Sequence, residues 1–145
     1  MRKYQLPLFL EGIITQDTYD KWIDRKARSH FKRDTKRGNK IISLEIYKVS
    51  IHQAVCDSKG VDYYTGELLD WSIVSKYNND DSKQNGRQYK RQFALLPTVD
   101  HVDDGLGHPN FKICSWRTND AKNDLSYDGF VELCKKVIHH NQNNK

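Results

Sequence analysis

Between Leu95 and Ser126 the chain carries one carboxylate, one imidazole and two carboxamides at spacings that allow them to meet: Asp100 beside His101, and Asn119 four residues before Asn123. Phosphodiester hydrolysis needs a nucleophilic water, a cation on the phosphate oxygens and stabilisation of the departing oxygen. An imidazole with an ordinary pKa of about 6.5 accepts a proton at neutral pH. A magnesium ion takes oxygen ligands, commonly one or two from the protein with water and phosphate completing the shell. Asp100 and His101 supply both functions from adjacent positions.

Successive residues of a strand point to opposite faces, so Asp100 and His101 serve one site only where the strand ends or bends. The loop from Val102 to Pro109 allows that. Asn119 and Asn123 share a helical face, and their amide oxygens are hard donors that suit Mg²⁺ or Mn²⁺. The alternative is local: Asn caps helices and forms turns, and a histidine at a strand end is often a satisfied core residue.

The elements that must position these groups read as follows. An apolar run from Phe93 to Val99, with Pro97 at an edge, predicts a strand, and the alternation from Phe111 to Trp116 predicts its partner. Ser126 caps a final helix with Asp128 in its first turn. Phe130, Leu133, Cys134, Val137 and Ile138 are its expected buried face, with the polar tail from His139 frayed. Upstream, Leu6 to Leu10 predicts an arm packed on the domain. Thr15 with Asp17 and Asp20 opens a helix whose apolar face is Tyr19, Trp22 or Ile23, Ala27 and Phe31. A second helix from Ile41 to Ser58 presents Tyr47, Ile51, Ala54 and Val55, and the two are expected to pack as a hairpin. Thr65-Gly66 marks a short hairpin, and the polar stretch from Ser75 to Gln92 reads either as a loop or as a second phosphate-binding surface.

Charge is concentrated in the first helix. Thr15 to Lys40 holds nine Lys and Arg against four Asp, a net of +5, which equals the excess of the whole 145-residue chain. Arg25, Arg28, Lys32, Arg33, Lys36 and Arg37 are therefore candidate phosphate contacts. The plainer reading is a solvated face with intrahelical ion pairs.

Length bounds the chain to one domain with a modest core, since only 37% of residues are hydrophobic and 30% are charged. No stretch approaches the roughly 18 apolar residues of a membrane span. The start lacks a leader pattern, so a cytoplasmic protein with no membrane partner is expected. Cys56, Cys114 and Cys134 form no C-x-x-C pair, so no structural zinc is expected, and all three read as reduced, mostly buried thiols.

The joint pattern resembles the HNH, or ββα-metal, endonuclease family. A strand ending Val99-Asp100-His101 is followed by a loop, then Asn110-Phe111-Lys112-Ile113-Cys114, then Asn119-Asp120-Ala121-Lys122. The interval from Asn110 to Asn119 is similar to that in the HNH domain of RNA-guided CRISPR nucleases. Tyr64-Thr65-Gly66-Glu67 resembles the turn that often precedes the motif. The likeness covers about residues 61 to 126. The chain departs from the family's pattern in lacking its zinc-binding cysteine pairs and in carrying Val102-Asp103-Asp104-Gly105-Leu106-Gly107 after Asp-His.

The resemblance implies an α+β fold: a ββα-metal HNH core over residues 61–145, with two N-terminal helices in a basic 1–60 extension and a C-terminal helix. It implies His101 as general base, Asp100 and Asn119 as metal ligands, and Asn110 as the catalytic-loop residue that orients His101. Asn123 stands where some members place a further ligand. Lys122 is expected to contact phosphate or fix the helix to the loop, and Arg117 to approach a phosphate or form a surface ion pair. Asp103 and Asp104 are either aids to the metal or solvated loop carboxylates. The expected function is a metal-dependent DNA endonuclease using Mg²⁺ or Mn²⁺, with no small-molecule cofactor and with a homodimer left open. A catalytically idle nucleic-acid-binding module and an RNase with the same site are the alternatives.

Overall fold

A computed structural model describes residues 3–40, 43–76 and 79–144, with the backbone alone for 79–82. Met1, Arg2, Ile41, Ile42, Tyr77, Asn78 and Lys145 lie outside the described residues, as do the sequence expectations that fall on them, including a helix start at Ile41.

The first helix, α1 (Gln16–Lys36), begins where Thr15 accepts a hydrogen bond from the Thr18 N–H at 3.1 Å. Such a cap contributes about 1 kcal/mol. Asp17 lies in the first turn and Arg33 and Lys36 in the last, in the sense the helix dipole favours. Its buried stripe is Tyr19, Trp22, Ile23 and Ala27, continued by two polar residues, His30 and Asp34. The second helix, α2 (Leu44–Ser58), is capped by Ser43 and buries Tyr47, Ile51, Ala54 and Val55, the face that the sequence predicts. It packs along α1, and one core unites both helices with Leu10 of the N-terminal arm, Trp71, Val99, Phe111 and Ile113.

The 61–69 segment forms one bridge, Val61 to Leu68, around a turn. The stretch expected as a loop is helical from Asn79 onward: α3 (Asn79–Gln92) is interrupted at Gly86, whose φ of 56° departs from helical geometry. Half of its residues are Lys, Arg or Gln, good helix formers that face solvent, while Tyr89 and, just past its end, Phe93 turn into the core. The predicted strand starts later than Phe93. β1 (Pro97–His101) pairs antiparallel with β2 (Phe111–Ser115), placing Asp100 opposite Lys112 and His101 opposite Phe111. Directly after β2 comes α4 (Trp116–Lys122), which packs back on both strands. The described elements are five helices and a two-stranded sheet, an α+β fold.

The last helix, α5 (Tyr127–Asn143), starts at the predicted cap, where Ser126 accepts from the Gly129 N–H. The expected buried face is wrong: none of its residues is buried, and Leu133, Val137 and Ile138 are about half exposed. Cys134 is exposed, against the expectation of a buried thiol, whereas Cys114 is buried and Cys56 intermediate. Periodicity reports an apolar face, not whether the chain holds a surface to cover it; the core is already closed by α1, α2, the hairpin and α4. The tail is not frayed either, since α5 continues to Asn143. Among the described residues no helix is long and apolar enough to cross a membrane.

Candidate active site

At the end of β1 the alternation of the strand sends Asp100 and His101 to different neighbours. Asp100 is buried, accepts a hydrogen bond from the Tyr64 hydroxyl, and lies 3.3 Å from the ammonium of Lys122. Burial, then the bond to Asp100, pushes the Tyr64 phenol up, which keeps it a neutral donor.

Tyr64 is aimed by Asp62. That buried carboxylate accepts from the backbone N–H groups of Tyr64 (2.7 Å), Thr65 (3.2 Å) and Ser115 (2.9 Å), and from the Thr118 hydroxyl (2.9 Å). Burial alone would raise its pKa, yet these donors outweigh it and hold the carboxyl below the ordinary range. Asp62 thus fastens the turn, the end of β2 and the start of α4 to one another.

His101 points the other way, toward α1. Its Nε2 lies 2.7 Å from Asp34 Oδ2, an oxygen that also accepts from the Tyr47 hydroxyl. The imidazole packs on Phe111, centroids 4.9 Å apart, and on His30 at 5.8 Å. On its other side, Nδ1 is buried 2.7 Å from Asp103 Oδ1, a contact without the alignment of a hydrogen bond. His30 is held neutral: burial first, then the charges of Arg33, His101 and Lys26, lower its pKa to about 3.

The loop after β1 is clamped at both ends. Asp103 Oδ2 accepts from the Asn110 N–H at 2.9 Å, and the Asn110 carbonyl accepts from the Val102 N–H at 3.1 Å. Asn39, buried just past α1, donates from Nδ2 to the carbonyls of Gly105 and Gly107, both at 2.9 Å.

Although Asp100 and His101 diverge, both line one cleft of about 620 Å³, together with Asn119, Asn123, Lys122, Asp103 and Asp34. Lys26, Arg33 and Arg37 add positive charge to its wall. Burial first, then the charges of Arg25 and Arg33, lowers the Lys26 ammonium to about 8, and it donates to the Thr98 hydroxyl at 3.3 Å.

The residues singled out from the sequence distribute unevenly. His101, Asp100, Asn119, Asn123, Lys122, Arg33 and Arg37 border the cleft. Asn119 lies inside α4, whose cap is Ser115, so it is not an N-cap. Asn123 ends α4 at a φ of 52° and is not on a continued helical face with Asn119. Asn110 is exposed and acts on the loop through its backbone. Lys122 is buried on Asp100, and Arg117 pairs with Glu67 outside the cleft. Arg25, Lys32 and Lys36 are exposed on α1, while Arg28 pairs with Asp24 at 2.8 Å. Asp104 accepts from the Leu106 N–H within the loop.

Sequence reasoning missed Lys26, His30, Asp34, Asn39, Asp62 and Tyr64 as site residues. A signal for two of them existed: His30 and Asp34 continue the stripe of Tyr19, Ile23 and Ala27 at helical spacing, so a polar pair falls on a buried face.

Among the described residues no three His, Cys, Asp or Glu side chains gather as a metal site. A magnesium ion needs fewer protein ligands than that. The Asp100 carboxylate and the Asn119 and Asn123 carboxamides border the same cleft and are hard oxygen donors, which fits Mg²⁺ or Mn²⁺. The ammonium of Lys122 shares that carboxylate. No family model matches the sequence, and no curated protein and no solved structure matches the chain.

Proposed function

We propose that this protein is a divalent-metal-dependent DNA endonuclease of the ββα-metal type, in which His101 removes the proton from an attacking water. The observation that carries the reading is the convergence of Asp100, His101 and Asn119 from a β1-β2-α4 unit onto one cleft that Lys26, Arg33 and Arg37 also line. Because Nε2 faces Asp34, Nδ1 is the nitrogen that accepts the proton. Asp103 Oδ1 stands 2.7 Å from Nδ1, so this reading requires the entering water to displace it. The water oxygen bonds to phosphorus, its proton passes to Nδ1, and the P–O bond to the leaving deoxyribose oxygen breaks. Asp100, with Asn119 and Asn123, would hold the ion, which when bound polarises the phosphate and stabilises the departing oxygen. Lys26, Arg33 and Arg37 bind phosphates beside the reacting one, and Arg25, Lys32 and Lys36 extend the positive surface along α1.

The experiment is a plasmid-nicking assay with Mg²⁺ or Mn²⁺. Wild type cleaves, and His101→Ala abolishes cleavage while retaining DNA binding. Equal cleavage by the two proteins overturns the assignment. A second reading, an idle nucleic-acid-binding module, is favoured by Lys122 lying against Asp100 and Asp103 covering Nδ1. Salt-sensitive binding without cleavage under any divalent ion would establish it. Competition between RNA and DNA substrates distinguishes an RNase.

A further inference from the structure

A carboxylate in the core costs several kcal/mol unless donors and charges compensate it. Asp34 is 1% exposed, on the buried stripe of α1 where an aliphatic side chain would serve packing better. Its Oδ1 has no hydrogen-bond partner, with the Arg37 guanidinium 3.8 Å away. Both of its hydrogen bonds fall on Oδ2, one from the Tyr47 hydroxyl and one with His101 Nε2 at 2.7 Å.

These contacts set the direction of each proton. Burial, then the bond to Asp34, pushes the Tyr47 phenol up, so the phenol donates and Asp34 accepts. A carboxylate oxygen that already accepts from Tyr47 also accepts from His101, so the proton of the imidazole lies on Nε2. The lone pair then lies on Nδ1, at the side of the ring that meets the loop, where Asp103 Oδ1 is equally close at 2.7 Å but, unlike Asp34, out of line for a hydrogen bond. Phe111 and His30 pack on the ring and fix its plane.

We propose that Asp34, from the N-terminal helix, is the positioning residue for His101, fixing the Nε2–H tautomer and leaving Nδ1 to accept the proton; the catalytic consequence rests on the nuclease reading above. The ββα unit is then incomplete without α1: the segment that carries the phosphate-binding charge also sets the tautomer of the base. Asn39, past the end of the same helix, holds the loop that carries Asp103 through the carbonyls of Gly105 and Gly107. Asp34 does not touch substrate and takes no proton.

The test has two readouts on full-length protein. The first is the tautomer of His101, read from long-range ¹H–¹⁵N correlations of ¹⁵N-histidine-labelled protein at pH 8. Wild type shows a protonated Nε2 and a bare Nδ1. Asp34→Asn, whose amide donates to Nε2, shows the opposite tautomer. The second is the division of rate from binding: Asp34→Asn lowers kcat by about 10²–10⁴-fold with KM little changed. Tyr47→Phe keeps the wild-type tautomer and costs less. A wild-type ring protonated on Nδ1 overturns the proposal without any variant, which covers an Asp34→Asn protein that fails to fold. A folded Asp34→Asn protein with unchanged tautomer and kcat overturns it as well. If wild type cleaves nothing, the nuclease reading fails, and the tautomer measurement still decides whether Asp34 sets His101.

Discussion

Lys122 Nζ and Asp100 Oδ2 stand 3.3 Å apart, with side chains 4% and 6% exposed, so a full ion pair is enclosed at the mouth of the cleft. Enclosed pairs add little net stability over apolar residues, but removing one partner strands the other charge and costs about 3–5 kcal/mol. Lys122→Met should therefore lower the unfolding free energy by about 3 kcal/mol, measured by urea denaturation. Under the nuclease reading a divalent ion takes over the role of the ammonium, so millimolar Mg²⁺ should raise the midpoint of Lys122→Met more than that of wild type. Equal shifts in both proteins would place the ion elsewhere.

Gly105 is fixed by its neighbours as well as by its backbone. Its φ is +77°, and a Cβ there would stand 2.7 Å from Asp34 Oδ1. Gly12 has nearly the same φ, +79°, with nothing within 4 Å of an added Cβ. Gly12→Ala should cost about 1 kcal/mol from backbone strain alone. Gly105→Ala should cost roughly 1–2 kcal/mol more and, under the nuclease reading, also depress cleavage, because relief of the clash displaces either the loop or Asp34. Thermal melts of the two variants give the comparison; indistinguishable losses would mean that the loop yields freely.

How legible the molecule was depended on whether a residue's role was local. Thr15 and Ser126 cap helices where the sequence places them, and the α2 face of Tyr47, Ile51, Ala54 and Val55 follows from spacing. Asp100, His101 and Asn119 reach one cleft because a hairpin followed by a helix leaves little choice. Asp34 to His101 spans 67 residues, and nothing in local pattern reveals a contact at that separation. The polar composition of 79–92 concealed a helix, because charged residues are good helix formers and Gly86 is a break within it. The amphipathic pattern of α5 was read correctly as helix and incorrectly as buried, since pattern carries no information on a covering surface.

His30 makes the fold sensitive to acid. In the native protein its pKa is about 3, with burial as the largest cause and Arg33, His101 and Lys26 adding to it, against a backbone hydrogen bond at Val99. The ordinary value is about 6.5. Between those limits the unfolded chain binds a proton and the native chain does not, so stability from this group is present above pH 6.5 and is lost as pH falls toward 3. By pH 4.5 the loss is on the order of 2–3 kcal/mol. Denaturant midpoints at pH 7 and 4.5 should therefore diverge more in wild type than in His30→Leu, and parallel losses would show that other groups dominate.

Lys26 carries a stability cost, and the nuclease reading gives it a binding role as well. Among the described residues no carboxylate forms an ion pair with it, and its pKa falls to about 8. The sign is opposite to that of a paired lysine. From about pH 8 to the ordinary 10.5 the unfolded chain holds a proton that the native chain has released, so stability rises with pH through that window. Below pH 8 both states are charged, and the native protein carries the full desolvation cost. Lys26→Met should thus be more stable than wild type at pH 7, by on the order of 1–3 kcal/mol, and should lose the rise above pH 8. Under the nuclease reading, a DNA phosphate in the cleft becomes the anionic partner of Lys26. DNA should then bind Lys26→Met more weakly, with the slope of log K against log salt reduced by about 1. The same substitution would stabilise the fold and weaken the ligand, which a lysine serving packing alone would not do. Unchanged DNA affinity together with raised stability would assign Lys26 no part in binding.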